Sequence, residues 1–244
     1  MRKTWLIARK DIKESFGRRT LLLRIMVPVL IMPILYGGLL GYAIRRAGAR
    51  PEHAAMLTGQ ISLYASLIAL MGTVLGGAIA ADAIAGEKER RTIESLMATP
   101  TTDLEIFAGK LLAGFLPSIV GGYGAALLFF ATARMTAGAQ PLLIPGVVSA
   151  ARLIMVAIPI ATAIFIAIGI IVSARCASVT TATQISALLG LPVFGGMLYF
   201  ALRASRWPLS HLLLAMAGCI AVAVLLLFVG ARAMGRDEII ARLD

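Results

Sequence analysis

Charged residues are scarce in this sequence. Asp, Glu, Lys and Arg together make up 14% of the 244 residues, whereas hydrophobic residues make up 59%. A soluble globular domain is nearer about a quarter charged and about half apolar. The composition therefore excludes an ordinary water-soluble domain and indicates a protein immersed in lipid.

The residues that build metal sites and disulfide frameworks are also few. There are two cysteines and two histidines, and neither set shows metal-ligand or CxxC spacing. We interpret Cys176 and Cys219 as packing residues, because both lie in or beside apolar runs. His53 stands alone in a predicted loop, and His211 opens an apolar run. We therefore expect no metal site, no bound cofactor and no catalytic constellation in this chain.

Acidic residues are about half as numerous as basic ones, 12 against 23, which gives a formal net charge of +11. Nucleic-acid binding would require a basic, aromatic-studded soluble face, and no soluble stretch is long enough to form one. Basic residues of membrane proteins gather at the cytoplasmic surface, near anionic lipid. The charge therefore indicates membrane lipid as a partner, and no nucleic acid.

Long apolar runs dominate the chain. A helix needs about 20 apolar residues to cross a hydrocarbon core of about 30 Å, and six segments qualify. No segment alternates like a membrane barrel strand, so the spans are expected to be helices. The fifth is the most polar, because hydroxyl and amide side chains occupy its first half. The six predicted spans are Leu21–Ile44, Ile61–Ile84, Ile106–Ala133, Val147–Ser173, Ala177–Phe200 and Leu209–Gly230.

The distribution of Lys and Arg predicts the orientation of the spans. With the N-terminus inside, 16 of the 23 basic residues fall on the cytoplasmic side, 6 fall outside, and Arg152 lies within the fourth span. Both termini are therefore predicted to be cytoplasmic. The predicted organisation is an interfacial helix at 1–20, a six-span domain at 21–230 with a cytosolic loop at 86–105, and a cytoplasmic tail at 231–244.

The first twenty residues are too polar to cross a membrane. Trp5, Ala8, Ile12 and Phe16 recur at helical spacing, and basic residues fill much of the remaining surface. This pattern is typical of an amphipathic helix in the membrane interface, with its aromatic rings at the acyl boundary and its cations toward the headgroups. An unstructured basic tail is the alternative.

The most charged stretch of the chain lies between the second and third spans. Ile93, Leu96 and Met97 form an apolar stripe on a predicted short helix over Gly86–Ala98, with charged residues around it. A helix of this kind, tied to two spans, suits docking into a groove on a partner. Periodicity alone leaves a second interfacial helix open.

Two local signals follow that predicted helix. Pro100 pushes the residue before it out of the α region, so the helix should end there. Thr102 and Glu105 have capping-box spacing, so the third span should begin there.

Two runs in this region carry a family resemblance. They are Glu87-Lys-Glu-Arg-Arg-Thr-Ile-Glu-Ser-Leu-Met-Ala-Thr-Pro and Glu105-Ile-Phe-Ala-Gly-Lys-Leu-Leu-Ala. Together they resemble the signature of the type 2 ATP-binding cassette (ABC-2) permeases, in which a Glu-x-Glu-Arg-Gly-Thr-like start leads to a Leu-Leu-x-x-Pro step and a Gly-Lys entry into the next span. Ala8–Glu14 is similar to the family's amphipathic elbow helix, and Gly235–Ile240 resembles its cytoplasmic tail. With the six-span layout, the resemblance covers essentially the whole chain.

The resemblance implies the permease subunit of an ATP-binding cassette transporter, an exporter by the family's habit, in a plasma (inner) membrane. Two permease copies, or one copy with a related permease, would pair around a pathway, each resting on a cytosolic ATPase that binds ATP and Mg. The chain has no phosphate-binding loop of its own, so it is not expected to be an enzyme. The implied coupling helix would dock the ATPase through Glu87, Glu89, Arg90, Ile93, Glu94, Leu96 and Met97.

The sequence departs from the family pattern at two points. Arg91 stands where the family often has glycine, which is expected to stiffen the start of the coupling helix. The external loops after spans one and five are short, so the external domains of some relatives are absent. The substrate is therefore not assigned.

Asp82 and Arg152, two of the ionisable residues within the predicted spans, are candidate sites, because charge there is costly and often functional. Asp82 could bind a cation or pair with Arg24 or Lys110, and we favour a role in orienting the coupling helix. Arg152 could attract an anionic substrate, although an arginine near a span end more often reaches out to headgroups. Gly72 and Gly76 have the GxxxG spacing of a helix-packing face and are weak evidence for a dimer contact.

Other functional classes find less support. A secondary carrier would usually show charge near mid-membrane and inverted repeats, a channel would show a charged lining or filter loop, and a membrane enzyme would show a catalytic cluster. None is evident. An ATP-independent carrier and a non-transporting membrane scaffold remain the alternatives.

Overall fold

The computed structural model describes residues 2–17, 19–47, 53–92, 101–138, 145–204 and 209–233. Over these residues, all of the regular secondary structure is helical, as predicted. The helices are α1 (Arg2–Gly17), α2 (Arg19–Ala47), α3 (Ala54–Glu89), α4 (Asp103–Ala137), α5 (Pro145–Arg175), α6 (Val179–Ala204) and α7 (Leu209–Ala233).

Within the part of the chain that the structure describes, four helices contain a segment long and apolar enough to cross a membrane. Their spanning segments are Val27–Arg46, Met56–Glu89, Leu104–Ala137 and Ile154–Arg175, which coincide with the first four predicted spans. The chain is therefore an all-α, multi-pass membrane protein. Helices α6 and α7 lie where the fifth and sixth spans are predicted, and their crossing of the membrane stays a prediction.

Helix α4 packs against α1, α2, α3 and α5. It begins at the predicted capping box, which is confirmed: the Glu105 amide donates to Thr102 Oγ1 at 3.3 Å, and the Thr102 amide donates to Glu105 Oε2 at 3.0 Å. These two bonds satisfy amide groups that the first turn of a helix leaves free. The start of α4 is thereby set by local sequence.

The GxxxG spacing in α3 brings α3 and α4 together. A Cβ on Gly72 would lie 2.7 Å from the Cα of Gly122, and one on Gly76 would lie 2.4 Å from Ser118 Oγ. Only glycine allows the two backbones to come this close. The stripe is therefore used inside one chain, and its interpretation as a dimer contact is wrong.

Helices α6 and α7 leave much of their apolar surface uncovered. In α6, Ala182 and Ser186 are buried, whereas Leu188 is 65% exposed and Leu191 is 59% exposed. Among the α7 side chains that the structure describes, Ala223 is the buried one. Such surfaces suit contact with lipid or with another subunit.

Candidate functional site

Helix α3 runs past its predicted end at Ile84 and stops at Glu89. The Arg91 amide donates to the Lys88 carbonyl at 3.0 Å, and the Thr92 amide donates to the Glu87 carbonyl at 2.9 Å. This pair of bonds is the Schellman arrangement that closes a helix C-terminus. The predicted separate helix over Gly86–Ala98 is therefore wrong at its start, because residues 86–89 are the last turn of α3.

Arg91 adopts the left-handed backbone conformation that this ending requires. Its φ of 55° is the one positive value at a non-glycine position within the described ranges. An L-residue loses about 1–2 kcal/mol in this region, and glycine does not. The glycine that ABC-2 permeases often carry here would thus fit the turn, and Arg91 terminates α3 instead of stiffening the start of a new helix.

Glu87 lies at the centre of a buried charge cluster. Lys110 Nζ is 3.2 Å from Glu87 Oε1, and the two side chains are 1% and 6% exposed respectively. Lys10 Nζ is 3.8 Å from the same oxygen, and Lys110 Nζ is 3.6 Å from Asp11 Oδ2. The Lys110 ammonium also donates to the Ala83 carbonyl. Because removing these charges from water is costly unless they are paired, the cluster holds α1, α3 and α4 together.

A second ion pair lies along the last two turns of α3. Arg90 Nη1 is 3.3 Å from Asp82 Oδ1, and Arg90 Nη2 is 3.5 Å from Glu14 Oε1 in α1. Gly86 lies between the paired residues, and a Cβ on it would be 2.1 Å from Asp82 Oδ1. Because Gly86 has no side chain, the Asp82 carboxylate and the Arg90 guanidinium, which lie two turns apart, can contact each other. Asp82 thus has a partner, Arg90, that sequence reasoning did not suggest.

Lys88 and Glu89 contact the turn between α5 and α6. Lys88 Nζ donates to the Ala174 carbonyl in the last turn of α5 at 2.9 Å. Glu89 Oε1 accepts from the amide of Val179, the first residue of α6, at 2.8 Å. A cation at a helix C-terminus and an anion at a helix N-terminus both complement the helix dipole. The end of α3 therefore caps two neighbouring helices.

Ser173 of α5 interrupts the backbone hydrogen bonds of α3. The amides of Ile84 and Ala85 donate to Ser173 Oγ at 3.0 and 2.8 Å, and Ser173 Oγ donates to the Ala81 carbonyl at 2.7 Å. A side chain inserted into the helical ladder in this way is a common origin of bends. It separates the last turns of α3, which carry the charges, from the apolar part of the helix.

The Gly-Lys pair near the start of α4, Gly109 and Lys110, contacts both α1 and α3. A Cβ on Gly109 would lie 2.8 Å from Ile7 Cβ and 3.1 Å from the Thr4 carbonyl, so glycine permits α1 to pack directly on α4. The adjacent Lys110 holds Glu87. The two halves of the signature therefore meet at one end of the bundle.

The structure brings several of the predicted site residues together. Asp82, Glu87 and Glu89 lie in the last turns of α3, and Arg90 follows directly. Glu87, Glu89 and Arg90 contact other helices, and Asp82 pairs with Arg90. The remaining loop residues lie outside the described residues, as does the side chain of Arg152, although its backbone belongs to α5. Docking of an ATPase by Glu87, Glu89, Arg90, Ile93, Glu94, Leu96 and Met97 therefore stays a prediction.

Sequence reasoning missed several members of the cluster. Lys10, Asp11 and Glu14 were included only in a generally basic amphipathic helix, although Lys10 and Glu14 are four residues apart and Asp11 lies on the same side. Ser173 gave no signal, because a single serine at the end of an apolar run has no distinctive pattern. Within the described ranges, no group of three or more His, Cys, Asp or Glu side chains is suited to hold a metal ion.

The fold and this cluster define a helical membrane protein with a charged junction at the end of its second spanning helix. The family model described as "ABC-2 family transporter protein" matches residues 5–203, and the chain belongs to that family. It is also similar to the ABC transporter permease protein NatB of Bacillus subtilis (strain 168), with 29% identity over 167 residues. That match covers 64% of this chain and 42% of the relative, so the chain spans less than half the relative's length.

Proposed function

We propose that this chain is the permease subunit of an ATP-binding cassette exporter, driven by a separate ATPase that docks on the segment between α3 and α4. Membership of the ABC-2 family supports the proposal, because permeases of this family work with a cytosolic ATPase subunit. In the proposed assembly ATP and Mg bind to the partner, and this chain supplies the pathway together with a second permease copy or a related permease.

The observation that carries the proposal is the connectivity of four consecutive residues at the end of α3. Glu87 contacts α4 and α1, Lys88 contacts α5, Glu89 contacts α6, and Arg90 contacts α1. A displacement applied just after these residues would therefore act on four helices at once. This is the arrangement required for a coupling element between an ATPase and a set of spans.

The contacts divide the proposed docking residues into two groups. Glu87 is 4% exposed and bonded to Lys110, so we assign it to anchoring the end of α3. Ile93, Leu96 and Met97 carry the apolar stripe that fits a groove on the ATPase. Closure of the ATPases on ATP would then move this stripe, and the α3 end would follow about the point where Ser173 interrupts the helix.

Co-purification tests the docking proposal. The full chain is purified from its native host in a mild detergent, and the bound proteins are identified by mass spectrometry. Changing Ile93, Leu96 and Met97 together to alanine is expected to remove the ATPase, while Glu87 is left intact so that the charge cluster is not disturbed. Matched control changes are Met56→Ala and Met135→Ala, because both side chains are exposed, at 64% and 81%, far from the charged junction.

Two results would contradict the proposal. If no cassette ATPase accompanies the wild-type chain under several gentle conditions, and candidate ATPases added in excess form no complex, an ATP-independent carrier or a scaffold becomes the better explanation. If the triple variant retains the ATPase as well as the control does, the docking site lies elsewhere. Protease protection of tags at both ends, in oriented vesicles, tests the proposed cytoplasmic termini.

A further inference from the structure

Helix α5 contains a proline near its middle, and a neighbouring helix replaces the hydrogen bond that this proline removes. Pro159 has no N–H, so the carbonyl of Met155, four residues earlier, lacks the donor that a continuous helix would supply. The Tyr123 hydroxyl of α4 donates to this carbonyl at 2.8 Å. Side chains of neighbouring helices satisfy carbonyls freed in this way within membranes. A single bond from α4 therefore acts at the point where a proline allows α5 to bend.

The half of α5 after Pro159 is held by α3. Ser173 Oγ bonds to the α3 backbone at three points, and the Ala174 carbonyl accepts from Lys88 Nζ at 2.9 Å. A Cβ on Gly169 would lie 2.7 Å from an α3 side chain, so the two helices are in close contact there. This half is therefore fixed in direction by hydrogen bonds as well as by packing.

The half of α5 before the proline, residues 145–158, is held differently. Its buried side chains, within the part of the chain that the structure describes, are the apolar residues Ala150, Ile154 and Ile158. Apolar contacts have no preferred direction, whereas a hydrogen bond weakens steeply when its geometry is lost. The bond from Tyr123 therefore contributes a directional contact that the apolar packing of this half does not provide.

A tight contact lies directly beside this bond. A Cβ on Gly122, the neighbour of Tyr123, would lie 3.0 Å from Ile158 Cγ2 and 3.2 Å from the Cα of Gly72. Helices α3, α4 and α5 thus touch at the residue that precedes Pro159. A change of bend at the proline would leave this contact in place and would move the preceding turn of α5 relative to the Tyr123 hydroxyl.

We propose that the hydrogen bond between Tyr123 and the Met155 carbonyl is a conformational switch that selects between two bends of α5. With the bond formed, residues 145–158 keep the direction seen in the structure. With the bond broken, they turn about the contact between Gly122 and Ile158, while the half bonded to α3 stays in place. The switch is a property of this chain alone and does not depend on the docking of an ATPase.

Fluorine NMR of a label at position 155 tests the switch. Cys176→Ser and Cys219→Ser leave Met155→Cys as the single cysteine, and a trifluoromethyl tag fits there because the Met155 side chain is 68% exposed. The full chain in lipid nanodiscs should give one signal for each bend, with the bonded form in excess. Tyr123→Phe should raise the ratio of the second signal to the first by about threefold to tenfold, the effect of losing one hydrogen bond between membrane helices.

Two further variants isolate the role of the hydroxyl. Tyr64→Phe is the matched control, because Tyr64 is also half-buried in a spanning helix but stacks on Tyr36 of α2. Pro159→Ala restores the missing N–H, so α5 supplies its own bond and should give one signal. In the Pro159→Ala background, Tyr123→Phe should add no further change. This dependence on the proline distinguishes a switch from a general loss of packing around Tyr123.

Two outcomes would overturn the proposal. If Tyr123→Phe gives the same spectrum as the wild type and Tyr64→Phe, the hydroxyl does not control the bend of α5. If Tyr123→Phe changes the spectrum equally with and without Pro159, its effect does not pass through the carbonyl that the proline frees.

Discussion

Lys110 and Glu87 face each other across the interface of α3 and α4, with Nζ and Oε1 3.2 Å apart and both side chains almost completely buried. One residue comes from the start of the ABC-2 signature and the other from its Gly-Lys end. Because a buried charge without a partner is strongly unfavourable, loss of either residue would leave the other as an uncompensated buried charge. In this chain the pair therefore joins the two halves of the signature directly.

We expect Lys110→Met to destabilise the protein by about 3 kcal/mol, since methionine fills the space but leaves the buried Glu87 and the partly buried Asp11 without their shared cation. The loss is measured as a lower midpoint of thermal unfolding, followed by size exclusion of heated, detergent-solubilised protein. Arg45→Met is the control, because the Arg45 side chain is exposed and lies in the last turn of α2, away from the charge cluster.

Combining Lys110→Met with Glu87→Gln should restore part of the lost stability, because the buried negative charge is removed together with its partner. This non-additivity identifies a direct interaction between the two residues. If Lys110→Met unfolds at the same temperature as Arg45→Met, the ion pair does not stabilise the junction.

Local patterns in the sequence predicted the features that depend on nearby residues. The capping box of Thr102 and Glu105 marked the start of α4 correctly, because donor and acceptor lie three residues apart. The first four spans followed from composition, since every turn of a spanning helix lies in the same apolar environment and therefore carries apolar residues.

The junction at the end of α3 could not be predicted in the same way. A run such as Glu87–Arg90 normally indicates a solvated surface, and here its partners lie far along the chain: 86 residues separate Lys88 from Ala174, and 90 separate Glu89 from Val179. No periodic pattern in the sequence predicts contacts between residues so far apart. The family resemblance located the segment, and the geometry supplied the contacts.

The close packing of α3 on α4 provides a second prediction. We expect Gly72→Ala to destabilise the protein by about 1–3 kcal/mol, because the new methyl group would meet the Gly122 backbone and force the helices apart. Gly38→Ala is the matched control on α2, since nothing lies within 4 Å of a Cβ there. The midpoints of thermal unfolding of the two variants are compared. Equal midpoints would contradict the close approach of α3 and α4.

The left-handed conformation of Arg91 provides a third prediction. Arg91→Gly should stabilise the end of α3 by a few tenths to about 1 kcal/mol, because glycine adopts a φ of 55° without steric strain. The gain is read as slower hydrogen exchange at the Thr92 amide, which is bonded to the Glu87 carbonyl. Arg91→Ala removes the same charge but keeps the β-carbon, so it should show no gain. Equal slowing in both variants would attribute the effect to charge.

The contact between Glu89 and the start of α6 provides the last prediction. We expect Glu89→Ala to weaken the first turn of α6 by about 1 kcal/mol, because the Val179 amide loses its acceptor and the helix N-terminus loses a favourable charge. Hydrogen exchange in that turn should become roughly fivefold faster. Glu89→Gln keeps an acceptor oxygen and should show a smaller change. Glu105→Ala removes a carboxylate that caps its own helix, α4, so it should leave α6 unaffected. If Glu89→Ala and Glu105→Ala change exchange in α6 equally, the α3 end does not hold α6 through this carboxylate, and any path from the proposed docking segment to α6 must run through other contacts.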